Sequence, residues 1–431
     1  MGSSSGFDLV KVAEGLLEDA KRLAAATRPG DDDENEAALR RSIVETANRI
    51  EFEVAPKMEV VKRDWVALAD VAAWNIFIEW EAFDHIPLDG HISIGDLARA
   101  VDAEESLVGR ITNQLLATRK LRPGPVPGTV AHSRVSPLFR TEHPASPLCT
   151  VAVGNAMRPF AHWPSFFETY GRREPVPGPS HTPFSFAWGR PELAPWEIKA
   201  LHPAYARAFA RSMRAREMVG GDTVLVGPAA LYDLGWVGVE ACARGPTDPV
   251  IVDVGGGLGQ LVRDILADVE GIKPGQCVLQ DRGEVIEEAR RLMVGYGLEG
   301  VVMMEHDFHT EQPVKGKLIA LVFACALVYM LRRILLDYSD YRAIGILRRL
   351  AEALPADNPK ARVIIIEERL LETPTPHNSL VDMAMLNLGG KLRNEAKFRE
   401  IASAAGLKVV GYFVREGDPK CVVECAKALN H

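Results

Sequence analysis

Hydrophobic positions along the chain fall into three textures. Between residues 8 and 26 they recur at helical spacing (Leu9, Val12, Leu16, Leu17, Ala20, Leu23), and the acidic stretch from Gly30 to Glu36 then breaks the pattern. The same period continues from Arg40 to Val54 and from Trp65 to Phe83, which predicts an all-α start. After His91-Ile92-Ser93-Ile94, a helix with Leu97 and Val101 and another from Glu105 to Leu116 lead into a Pro- and Gly-punctuated hairpin from Lys120 to Val135. Two short helices followed by a β-wing predict a winged-helix unit. Its second helix carries no basic stripe, so the expected role is dimer scaffolding rather than DNA binding.

Residues 145–247 read as mostly helical, interrupted by a loop from Val176 to Pro183. They are rich in aromatic residues and methionine, among them Met157, Phe160, Trp163, Phe166, Phe184, Trp188, Met213 and Met218. Such residues fill cores, and they also line pockets for apolar ligands. After Pro249 strands and helices alternate, which predicts a parallel sheet covered by helices on both faces. Strands are expected at Val250–Val254, Cys277–Gln280, Val301–Glu305, Leu318–Phe323 and Arg362–Glu367, with helices at Gly259–Val269 and Val285–Gly297. Helix Phe398–Ala405, strand Lys408–Val414 and strand Lys420–Ala426 suit an antiparallel end to the sheet. The expected domains are therefore 1–145, 146–247 and 248–431.

A chain of 431 residues with 47% hydrophobic and 25% charged positions can bury several cores. Its formal net charge of −8 argues against a nucleic-acid partner, which would need a clustered basic face. The longest apolar run, Leu318 to Met330, is shorter than the roughly 20 residues of a membrane span, so no membrane partner is expected. The six cysteines are scattered without CxxC spacing, and Met1 to Gly6 has no basic and apolar leader, so a reduced cytoplasmic protein is expected. Cys421 and Cys425 sit at strand spacing in CVVEC, and no metal site is expected there.

The chemistry concentrates behind the strands. Asp253-Val254-Gly255-Gly256-Gly257-Leu258-Gly259 follows an apolar strand and opens a helix, where glycines let a ligand approach the backbone. Asp281 ends the next strand, where a carboxylate can accept both hydroxyls of a ribose. Asp307-Phe308 after the third offers a polar contact and an apolar lid for adenine.

With these residues in place, the chain resembles the plant and fungal O-methyltransferases of the class I S-adenosylmethionine (SAM) type. VDVGGGLGQL, VLQDRGEVI, EHDF, LVYMLRRILLDYSDYRAIGIL, DMAMLNLGGKLRNEAKF and the AAGL and KVVGYF segments stand in the family's order, and VAHSRVSPLF resembles the end of its N-terminal domain. The resemblance implies an α/β fold with a seven-stranded Rossmann-like sheet, a helical and winged-helix N-terminal dimerisation domain, and a homodimer. It implies SAM or S-adenosylhomocysteine as cofactor, with Asp253, Gly255, Gly257, Asp281, Asp307, Phe308 and Arg332 at the contact positions, and a small apolar molecule as substrate.

The chain also departs from the family. Leu336 stands where the family has the histidine base, Tyr338 where it has tryptophan, and Leu392 where a carboxylate assists that histidine; Glu367 is what remains of the trio. Leucine cannot take a proton, and losing a positioned base costs on the order of 10²–10⁴ in rate. Three readings follow: a methyltransferase with another base, a scaffold subunit, and a pericyclase. The last, which the departure at Leu336 favours, resembles the O-methyltransferase-like pericyclases that dehydrate alcohols of polyketide–amino acid (2-pyridone) hybrids and steer an Alder-ene or hetero-Diels–Alder closure without methyl transfer. A shaped apolar cavity and a few donors suffice for such a step. His132 at the end of the wing is the expected donor, with Asp337 and Arg333 as further candidates.

Overall fold

The computed structural model describes residues 7–26, 34–175, 180–220, 230–315 and 326–428. The side chains of residues 213–220, Met213 and Met218 among them, lie outside the described set, as do the first part of the loop expected from Val176 and the strand expected at Leu318–Phe323. The chain divides into two compact units, Met1–Arg140 and Thr141–His431.

The first unit opens with three helices, α1 (Leu9–Ala26), α2 (Glu34–Val54) and α3 (Lys57–Glu79). Helix α2 begins earlier than the periodicity indicated, inside the acidic stretch, and α3 starts directly after Pro56, whose fixed φ suits a helix entry. Strand β1 (Ile92–Ser93), helices α4 (Ile94–Ala100) and α5 (Glu105–Ala117), and strands β2 (Leu121–Pro123) and β3 (Thr129–His132) follow. Ser93 caps α4 by accepting the Asp96 N–H at 3.0 Å. The three strands pair antiparallel in the order β1-β3-β2. Phe77, Phe83 and Phe139 are buried together, with Trp74 stacked on Phe139.

The second unit begins with α6 (Ser146–Ala152), which runs through a π-helical turn at Val153–Met157 into α7 (Arg158–Tyr170). Short helices α8 (Pro183–Ala187) and α9 (Pro195–Leu201) precede α10 (Pro203–Gly220) and α11 (Gly235–Cys242). The segment 146–247, expected as a helical linker contributing to the substrate pocket, falls in the same compact unit as the sheet, and its Tyr232, Val237 and Ala241 pack with sheet residues such as Ile251 and Val328.

The sheet alternates with helices: β4 (Ile251–Val254), α12 (Gln260–Asp268), β5 (Cys277–Asp281), α13 (Gly283–Leu292), β6 (Val302–Glu305) and β7 (Val328–Arg332). Helix α14 (Asp340–Ala353), β8 (Arg362–Glu368), α15 (Pro376–Leu388), α16 (Glu395–Ala404), β9 (Leu407–Val414) and β10 (Lys420–Lys427) complete it. The order β6-β5-β4-β7-β8-β10-β9 is parallel except for β10, which runs antiparallel to both β8 and β9. Alternate residues of each strand feed two cores. Val252, Val254, Tyr329, Leu331, Val363 and Ile365 face one, while Ile251, Val328, Met330, Ile364 and Ile366 face the other. Both faces are therefore dry, as a parallel sheet requires. The register, Asp253 opposite Leu279 and Asp281 opposite Glu305, aligns the carboxyl ends of β4, β5 and β6 along one edge. Ligands of open α/β sheets bind at that edge.

Candidate functional site

At the end of β4 the chain turns through Gly255, Gly257 and Gly259, with φ of 71°, 62° and 84°. These are left-handed values that favour glycine. A Cβ on Gly255 would meet Ile334 Cδ1 at 2.7 Å, whereas one on Gly257 would meet nothing nearer than Gln260 Oε1 at 3.8 Å. The first glycine permits close packing, and the second leaves open space above the backbone.

The N–H groups of Gly255 and Gly256 donate to the Gln280 carbonyl at 2.8 and 3.0 Å, tying the loop to β5. Asp281 Oδ2 accepts from Gly257 N–H at 2.9 Å, and Oδ1 accepts from Arg282 N–H at 2.8 Å. Each oxygen keeps a lone pair for a further donor. Burial raises the Asp281 carboxyl above its usual range against those two hydrogen bonds. Asp253 is 1% exposed, and neither of its oxygens has a hydrogen-bond partner. Burial pushes it up to about 7 although Arg332, at the end of β7, favours the carboxylate.

An orphaned buried carboxylate, an open glycine and a ribose-ready aspartate together fit SAM. The loop glycines and Asp281 would hold it. Phe308 lies 3.4 Å from the Cβ position of Gly255 and meets Tyr338 edge to face, with centroids 6.0 Å apart. Asp307, at the surface, spends one oxygen on the N–H of His309 at 2.9 Å.

The segment from Arg333 to Asp340 crosses the same edge, held from both sides. Arg333 has φ of 56°. Its N–H donates to Ile366 O at 2.9 Å and its guanidinium reaches Glu368 at 3.1 Å. Glu367, 3% exposed, accepts from Ile334 N–H at 3.0 Å and Leu335 N–H at 2.8 Å through a single oxygen. Burial pushes its carboxyl up to about 8 although Arg393 opposes this. The buried Arg393 guanidinium donates to the carbonyls of Leu335 and Tyr338, both at 2.7 Å, and to Asp340 at 2.9 Å. Glu367 thus fixes the segment's donors and Arg393 its acceptors.

This clamp presents Leu336 to an apolar cluster of Phe184, Ile198, Val381, Met385, Leu388 and Leu392. The Leu336 carbonyl accepts from Lys391 N–H at 2.9 Å, and a Cβ on Gly390 would collide with that carbonyl. The two leucines at the departed family positions therefore share one wall.

The sequence drew no attention to Lys199. It is 4% exposed, and its Nζ has no hydrogen-bond partner. The amine stands 3.7 Å from the Phe209 ring centre, 4.0 Å from that of Trp196 and 5.7 Å from that of Phe184. Burial drives it down to about 7, with Asp337 favouring the charged form and Arg282 opposing it. The Arg282 guanidinium lies 6.0 Å over the Trp196 ring, and Ile198 of the same helix packs in the cluster that contains Leu336. Helix α9 therefore touches both the residue next to Asp281 and the segment carrying Leu336. Only the cluster of Trp196 and Phe209 around a lysine could have signalled it.

His132 lies in the first unit, 6% exposed, with Nδ1 at 2.8 Å from Ser136 Oγ and Nε2 at 3.1 Å from Ile86 O. Ser136 Oγ already accepts the Ser133 N–H at 2.9 Å, so its hydroxyl donates to Nδ1 and Nε2–H donates to Ile86. Burial lowers this imidazole, which suits the neutral form. Both ring nitrogens are engaged within the unit.

A family model for the O-methyltransferase domain matches residues 173–408. Methyltransferase cfoD of Aspergillus candidus is 36% identical over 97% of this chain and 99% of its own length. The crystal structure of OxaC in complex with S-adenosylhomocysteine (SAH) and oxaline superposes with a TM-score of 0.81 at 19% identity, covering 98% of this chain and 99% of that one. A structure described as a pericyclic reaction enzyme gives 0.75 at 19% identity over 97% and 100%. At such identities the two structures speak for the fold alone. The family model spans more than half of this chain and the Aspergillus candidus relative nearly all of it, so the protein belongs to the O-methyltransferase family.

Proposed function

We propose that the protein is a SAM-dependent methyltransferase whose acceptor is a small, largely apolar natural product bearing an acidic O–H or N–H, and that it acts as a homodimer. The observation that carries this reading is the cofactor edge: Asp253 is buried without a partner beneath an open glycine turn whose N–H is already aligned on Asp281. A relic site would have no reason to keep a carboxylate at such cost. In this reading Asp281 takes the ribose hydroxyls, Gly255 and Gly257 admit the cofactor chain, Phe308 covers adenine beside Asp307, and Arg332 balances the charge of Asp253. Bound SAM supplies the electrophilic methyl group, and the chain orients the acceptor and excludes water. The wall of Leu336 and Leu392 selects an apolar acceptor. Exposed Phe52, Met58, Val61, Trp65 and Leu68 on α2 and α3 support the homodimer.

The same wall favours a second reading, pericyclic closure of a dehydrated pyridone alcohol with no methyl transfer. Incubation with methyl-labelled SAM and a panel of phenols, enols and pyridone alcohols separates the two. Label in product supports methyl transfer, and loss of pyridone alcohol without label supports pericyclic chemistry. The Asp281→Ala variant is expected to bind SAM at least tenfold more weakly by calorimetry. Wild-type protein that binds no SAM and changes no acceptor would leave the scaffold reading.

A further inference from the structure

An amine enclosed by three aromatic rings, with no hydrogen-bond partner, is costly unless it is used. The ends of its enclosure are informative. On one side, Phe184 and Ile198 belong to the apolar cluster that contains Leu336 and Leu392. On the other, the Trp196 ring lies 6.0 Å from the guanidinium of Arg282, a residue whose backbone N–H donates to Asp281 at the cofactor edge. Lys199 is thus held where a proton acceptor is needed and where Leu336 offers none.

We propose that Lys199 is the catalytic base of this site, and that its substrates are weakly acidic hydroxyl or N–H compounds that are mostly un-ionised at neutral pH. This inference rests on the methyl-transfer reading. The neutral amine takes the proton from the acceptor O–H or N–H and becomes an ammonium. The freed electron pair forms a bond to the methyl carbon of SAM, and the carbon–sulfur bond breaks with its pair on sulfur to give SAH. The surroundings suit both ends of that step. Burial favours the amine before transfer, while the faces of Phe209, Trp196 and Phe184 stabilise the ammonium afterwards. The charged groups acting on it are Asp337 from the Leu336 segment and Arg282, next after β5. Asp337 supports the ammonium, and Arg282 keeps the resting group neutral.

The test compares wild type with Lys199→Met, whose unbranched apolar chain fits among the rings. Two probes are used, 4-methylphenol, un-ionised at neutral pH, and 4-nitrophenol, about half ionised there. With 4-methylphenol, Lys199→Met is expected to lose about 10²–10³-fold in kcat/KM, together with the rising limb of the pH profile. With 4-nitrophenol the loss is expected to stay under about tenfold, and SAM affinity by calorimetry to be unchanged. Independently of turnover, carbon-13 NMR of lysine labelled at the ε-carbon should show one signal, missing in Lys199→Met, titrating well below the others. Equal turnover of both probes by wild type and variant, or titration of Lys199 together with the exposed lysines, overturns the proposal. If wild type binds SAM and methylates neither phenol, the methyl-transfer reading itself fails, and the base assignment falls with it whatever the lysine signal shows.

Discussion

Lys199 and Leu336 show how two side chains can exchange the work of one. A leucine in the place of a base leaves a site that binds and orients but moves no proton, and a lysine drawn into an aromatic enclosure restores that capacity at another atom. The exchange has a thermodynamic signature. The amine is lowered from its ordinary 10.5 to about 7 in the fold, so between those values the unfolded chain holds a proton the folded chain lacks. Stability contributed by the neutral buried amine is then present above the unfolded value and is lost as pH falls towards 7, with a slope approaching about 1.4 kcal/mol per pH unit. Lys199→Met should abolish that slope. Urea melts at pH 7.5 and 9.5 are expected to show the variant more stable than wild type, with the gap larger at the lower pH. A gap independent of pH would mean that Lys199 stays charged in the fold. The glycine turn was legible in the sequence because glycines directly after an apolar strand carry their own signal, whereas Leu336 and Leu392 stood out only through the family resemblance. Lys199 was not legible, because an isolated lysine on a helix reads as solvated and its enclosure is built by three separate helices.

Among the elements, the segment from Arg333 to Asp340 is the one on which the site depends. It begins with a left-handed non-glycine residue, costing about 1 kcal/mol. Glu367 and Arg393 hold it in place. Glu367→Ala would leave the N–H groups of Ile334 and Leu335 without their acceptor, roughly 1–3 kcal/mol for each. Glu367→Gln retains an oxygen and resembles the protonated acid that burial favours. Thermal melts are therefore expected to place the alanine variant well below wild type and the glutamine variant close to it. Similar losses in both would assign Glu367 a charge-dependent role instead. The strand adjoining this segment also shows where pattern reading stops. A strand was expected at Leu318–Phe323, and the strand beside β4 is Val328–Arg332. A buried parallel strand is a continuous apolar run, and Leu318 to Met330 offers several equally apolar windows. The alternation of strands and helices was legible nonetheless, since each is set off by its own turn residues.

For the whole molecule, the unpaired apolar residues of the first unit point to a partner. Light scattering at micromolar concentration is expected to give twice the chain mass of 47.2 kDa. A mass of one chain would remove the homodimer. Among the described residues no helix is long and apolar enough to cross a membrane. The sheet's strand order carries a consequence for biosynthesis. Strand β10 is inserted between β8 and β9, so β9 at the rim is joined to the sheet only through a segment translated after it. Until residues 420–427 have left the ribosome, the β8 edge stays open and β9 has no ladder to join. The nascent chain must carry that exposed edge from the emergence of residues 362–368 until residues 420–427 follow, a state that invites mispairing with neighbouring chains. Expression at a slower translation rate, or with a chaperone that covers extended segments, then decides how much of the protein reaches its soluble form.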